Sequence, residues 1–178
     1  MNNATVALVL TYCLFAVENA VAQNTKESSS ATDGWIVSET TSPVDYSPVV
    51  VATTRSREGV ESSVMQLSIY CRNGHTYLVL TGQAILGRGD NYAIAYSVNG
   101  DKPVRAGVSA AAFGRGAAFQ GDVVNLLQSL PDQGELAIRL ATPTGSSLKG
   151  DFSLSGLKAV RRKIAAACKW PGVNTQSR

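Results

Sequence analysis

Apolar and polar positions alternate with a period of two through much of the first two thirds of the chain, and that period predicts strands. Within residues 64–71, Met65, Leu67, Ile69 and Cys71 share one face, while Gln66, Ser68 and Tyr70 take the other. Residues 91–98 repeat the pattern, with Tyr92, Ile94, Tyr96 and Val98 set against Ala93, Ala95 and Ser97. Residues 49–54 are β-branched and lie between Pro48 and a charged turn at 55–59, and Trp35, Ile36 and Val37 open an earlier strand. Asn73-Gly74 tolerates positive φ at both positions and predicts a tight hairpin that returns along residues 75–81. Asn99-Gly100-Asp101 supplies a second turn, so residues 103–108 are expected to pair back on the preceding strand.

The period changes after Phe119. Val123, Leu126, Leu127 and Leu130 sit at i, i+3, i+4 and i+7, one face of a short helix that Pro131 follows. Residues 135–141 and 150–154 return to strand character. Next comes a second helix, with Ser155 as its expected N-cap and a stripe of Leu157, Val160, Ile164 and Cys168 facing the core. At about 100° per residue, Lys158, Arg162 and Lys169 fall together on a solvent-facing side. The fold class read from these elements is α+β: a mostly antiparallel, sandwich-like sheet with two short helices, the C-terminal one packed on the sheet.

The start of the chain reads as an export signal. Residues 4–17 form an apolar run of 14, too short to span a bilayer, which takes about 20 residues. Ala20-Val21-Ala22 gives the small-x-small cleavage pattern, so the cut is expected between Ala22 and Gln23. The expected organisation is then a signal peptide at 1–22, a disordered polar linker at 23–33, one β-rich domain at 34–171 and a flexible tail at 172–178. No membrane span is expected to remain after cleavage, and the location is periplasmic or secreted. Cys13 leaves with the signal, and Cys71 and Cys168 remain. Two cysteines in an exported chain read as one disulfide, because the compartment is oxidising. Both face inward, one from a strand and one from the last helix, and the loop they close is worth about 4–5 kcal/mol of chain entropy.

Composition narrows the chemistry. Charged residues make up 16% of the chain, well below the roughly 25% usual for soluble proteins, and 44% are hydrophobic, which together argue against disorder. The net charge of +3 becomes +4 once Glu18 is removed with the signal, leaving sixteen bases against twelve acids. One histidine and three cysteines, Cys13 among them, leave little for a metal centre, so neither metal nor cofactor is expected. His75 sits beside the Asn73-Gly74 turn, and no nucleophile motif accompanies it. Gly114-Arg115-Gly116 and Gly121 match neither a Walker loop nor a dinucleotide fingerprint. Lys158, Arg162 and Lys169 form a candidate interaction surface, with too small a charge excess and too few stacking aromatics for nucleic acid. No catalytic residues emerge, and the expectation is a non-catalytic protein. Two alternatives stay open. Asp45, Asp90, Asp122 and Glu135 could converge as a carboxylate pair for glycan hydrolysis, and Arg88-Gly89-Asp90 is a three-residue hint of host interaction.

Five segments occur in a telling order: Trp35; Ser42-Pro43-Val44-Asp45-Tyr46-Ser47-Pro48; Leu67-Ser68-Ile69-Tyr70-Cys71; Phe152-Ser153-Leu154-Ser155-Gly156-Leu157; and Ala167-Cys168-Lys169-Trp170. As a set, spanning residues 35–170, they resemble the VasI/TagO family of type VI secretion-associated envelope proteins. Tyr46 stands where that family usually shows a second acid. The resemblance implies an exported Gram-negative envelope protein, an accessory or assembly factor whose partner is an envelope or secretion-apparatus protein. It carries no catalytic residues across. On the same resemblance, Trp35 and Trp170 are expected to be core anchors and Pro43 and Pro48 turn-setters.

Overall fold

The computed structural model describes residues 28–57, 64–83, 85, 92–112, 115–141 and 145–171. The signal peptide, the Ala22/Gln23 junction, Cys13, Arg88-Gly89-Asp90, Gly114 and the 172–178 tail lie outside the described residues. Eleven strands and two helices follow in order: β1 Ser28–Thr32, β2 Trp35–Thr41, β3 Pro48–Arg55, β4 Met65–Arg72, β5 His75–Gly82, β6 Ala93–Val98, β7 Val104–Ala106, β8 Val108–Ala110, β9 Ala117–Phe119, α1 Val123–Ser129, β10 Glu135–Ala141, β11 Ser147–Ser153 and α2 Leu157–Cys168. They build two antiparallel sheets. The larger runs β1-β2-β3-β4-β5-β9-β8 and the smaller β11-β10-β6-β7. The α+β reading therefore holds, with α2 packed across β2 to β5.

The alternation seen along the chain sets which side chains fill the space between the layers. From the large sheet, Trp35 and Val37, Val50 and Ala52, Met65 to Cys71 in steps of two, Leu78 and Leu80 are buried. From the small sheet, Ile94, Leu136, Ile138, Leu140 and Phe152 meet them. Along β4 the covering layer changes. Met65 lies against β11 at Gly150, where an added Cβ would come within 2.5 Å of the Met65 Cε. Six residues on, Cys71 lies under α2 and is bonded to Cys168, with S–S 2.06 Å and Cα–Cα 5.6 Å. A side chain at Gly150 would push the end of Met65 aside and crowd Ser56 Cβ at 3.1 Å, a sign of how closely the two sheets approach there.

Three features differ from the sequence reading. The polar stretch assigned to a disordered linker is ordered at its end: Ser28–Thr32 pairs with β2 from Ser28↔Glu39 to Thr32↔Trp35. Asp33 (φ 43) and Gly34 (φ 88) form the connecting turn, so the described fold begins at Ser28 rather than Gly34. A strand without apolar periodicity forms because its backbone completes the ladder of β2, which needs no buried side chains. Secondly, Ser155 does not cap α2. The N-cap is Gly156, at φ 84 and without a side-chain cap bond, because only glycine takes a left-handed turn there at no steric cost. Thirdly, residues 103–108 do not stay in one sheet. β7 pairs with β6, and after Gly107 β8 pairs with β9 in the other sheet. Gln120 N–H donates to Gly107 O at 2.9 Å and fixes that crossing.

Candidate functional site

The last helix organises the polar surface, and its two ends differ. At the C-terminal end Lys169 (φ 51) terminates the helix and Trp170, buried, donates from Nε1 to Thr76 Oγ1 at 2.7 Å. Together with the disulfide this ties α2 to β4 and β5. Nearer the N-terminal end Arg161, whose side chain is only 17% exposed, reaches across to α1. Its Nη1 donates to the carbonyls of Leu127 (3.1 Å), Gln128 (3.1 Å) and Leu130 (2.8 Å), and its Nη2 pairs with Asp132. Those carbonyls belong to the C-terminal turn of α1, where backbone acceptors have no helical partner, so one guanidinium satisfies several at once.

Asp132 also forms an ion pair with Lys158, whose Nζ lies 3.4 Å from Oδ2. Lys158 and Arg162 both line a depression of about 610 Å³ that opens beside Gly156 and also meets Asp33, Gln133 and Ser155. A second hollow of about 510 Å³ adjoins it, since Asp33 and Ser155 line both. Its remaining wall brings together Arg55 at the end of β3, Arg57 two residues past it, Thr53, Gln66 from β4, Ser153 and the half-exposed Ile36. Neither Arg55 nor Arg57 has an ion-pair partner among the described residues.

The structure brings together two of the three predicted surface cations. Lys158 and Arg162 share one depression, while Lys169 is exposed at the opposite end of α2 and lines neither hollow. Helical periodicity alone merged them, because it fixes direction around the axis but not distance along it. Arg55 and Arg57 were not singled out, since only the folding of β3 toward the start of α2 brings them to the trough.

Of the acids considered as a pair, Asp45 and Asp122 are engaged locally. Asp45 lies in the β2–β3 loop, where its carboxylate accepts from Ser47 N (3.1 Å) and Ser47 Oγ (2.8 Å). Hydrogen bonds from the Ser42 and Ser47 side chains hold the exposed Asp45 carboxyl below the ordinary carboxylate range. Asp122 caps α1 by accepting from Asn125 N at 2.9 Å. Glu135 is exposed on β10, and Asp90 is outside the described residues. His75 is exposed at the start of β5. Asp151, which the sequence reading passed over, is buried on β11, with Oδ2 2.6 Å from Lys149 Nζ. Among the described residues no cluster of three or more His, Cys, Asp or Glu could hold a metal, and no helix is long and apolar enough to cross a membrane.

These features define a two-sheet β-rich fold closed by a disulfide, with a basic trough at the start of its last helix. No family model matches the chain, and no curated protein matches it. Among solved structures it is similar to invasion associated protein B from Bartonella henselae, with TM-score 0.50 and 15% identity over 80% of this chain and 98% of that one. At that identity the likeness is one of fold.

Proposed function

We propose that this chain is an exported, non-catalytic binding or assembly protein of the bacterial envelope. The observation that carries the reading is the Cys71–Cys168 bond, which joins two distant parts of the chain and fits an oxidising compartment. The apolar run and Ala-Val-Ala pattern at the N-terminus support the same address. The ordered set of segments resembling VasI/TagO proteins favours an accessory role at a type VI secretion apparatus, with an envelope protein as partner. The tie-points described above, Asp45, Asp122, Arg161 and Asp132 among them, act in turns and caps, which favours binding over turnover. The test is to trap thiols by alkylation in fractionated cells and to crosslink the intact chain to its neighbours. The expected result is an oxidised protein outside the cytoplasm, joined to an envelope protein. A reduced protein in the cytoplasm, or purified protein that hydrolyses cell-wall glycan, overturns it.

One observation favours a second reading, a secreted host-interaction factor. The similar structure from Bartonella henselae bears the name of an invasion-associated protein. Recovery of the chain from culture medium, rather than from the envelope fraction, would select this reading over the first.

A further inference from the structure

We propose that the trough at the start of α2 binds a linear anionic glycan, which deepens the binding-protein reading and rests on it. The two adjoining hollows, about 510 and 610 Å³, are each of a size that accepts a sugar ring with room for its neighbours, and they meet at Asp33 and Ser155. Arg55 and Arg57 stand at one end, and Lys158 and Arg162 at the other. Against these four cations the trough has two acids, Asp33 and Asp132, and Asp132 is already engaged by Arg161 and Lys158. The surplus is positive, and the guanidiniums of Arg55 and Arg57 are unpaired among the described residues, so their forks are available to carboxylate or phosphate.

The rest of the lining favours a saccharide over an acidic peptide. Thr53, Ser153 and Ser155 offer hydroxyls, and Gln66 and Gln133 offer amides. Such groups both donate and accept, as sugar hydroxyls do. Ile36, 56% exposed, gives one apolar wall on which the C–H face of a ring can rest. Cations at both ends of an extended polar trough match a ligand whose negative charges recur along its length, rather than a single small anion.

The test is calorimetric titration of the oxidised full chain with tetragalacturonate, alongside neutral maltotetraose and tetra-L-glutamate. Tetragalacturonate is expected to bind, with the other two weaker by about tenfold or more. Arg55→Gln with Arg57→Gln, and separately Lys158→Gln with Arg162→Gln, should each weaken it by about tenfold. Arg105→Gln with Arg139→Gln, exposed cations of the small sheet, should leave binding unchanged. These side chains are exposed, and unchanged melting temperatures will show that the variants fold. Absence of binding at millimolar tetragalacturonate, equal binding of tetraglutamate, or equal weakening by the Arg105/Arg139 pair overturns the proposal. None of those outcomes touches the fractionation and crosslinking results on which the broader reading stands.

Discussion

The two ends of α2 are attached to the protein by different physics. At Cys168 the helix is bonded covalently to the inner face of β4, and Trp170 is sunk beside β5. Eleven residues earlier it begins at Gly156–Leu157 with no side-chain cap, and is held through Arg161 and its carbonyl acceptors on α1. At the covalent end Cys168 and Trp170 are buried and only Lys169 between them faces solvent. The other end opens onto the trough, where exposed cations stand over polar walls. A helix fixed firmly at one terminus leaves the opposite terminus able to present polar groups without having to supply most of the stability itself.

The comparison can be broken hardest at the sulfurs. Cys71→Ser or Cys168→Ser, or reductant added to the unaltered protein, removes the restraint on a 97-residue separation, which chain entropy puts at about 4–5 kcal/mol. A large drop in melting temperature is expected, equal for the variants and the reductant. Next in size is Arg161→Ala, which strips partners from three backbone carbonyls and Asp132 and should cost about 3 kcal/mol in denaturant unfolding. Arg161→Lys should recover only part, since an ammonium cannot reproduce the planar fork. Trp170→Phe loses the Thr76 bond together with the buried five-membered ring of the indole, at about 2 kcal/mol by the same measurement.

The smallest effect lies at the β2–β3 loop, away from both ends of the helix. The folded Asp45 carboxyl titrates below its ordinary value of about 3.9. Its contribution is therefore present above that value and is lost as pH falls through the folded value. Acid unfolding curves of Asp45→Asn should be slightly flatter below about pH 4 than those of the parent, and an NMR titration of the Asp45 carboxyl should show the lowered midpoint.

Sequence pattern was most informative where burial is one-sided. The alternation of Met65, Leu67, Ile69 and Cys71 gave β4 its inner face, and the spacing of Leu157, Val160, Ile164 and Cys168 gave α2 its own. β1 escaped because Ser28–Thr32 has no apolar alternation, although Asp33-Gly34 is the kind of dipeptide that marks a hairpin and would have revealed it. β9 escaped for the opposite reason. Ala117, Ala118 and Phe119 are all buried, so a three-residue strand shows no period at all. Half of the trough was readable in the helix as Lys158 and Arg162. The other half, Arg55 and Arg57, depends on where β3 ends relative to a helix a hundred residues later, a distance that local pattern does not encode.

The position of Cys168 also sets an order of assembly. On the export route proposed above, the N-terminus crosses first and β4 arrives long before α2, so the Cys71 thiol would arrive with its mate still to come. Until the final helix follows, that thiol is open to mixed disulfides with oxidoreductases and small thiols. On that route covalent closure would mark completed translocation, and a molecule cut short before Cys168 would carry a reactive sulfur by which quality control could recognise it.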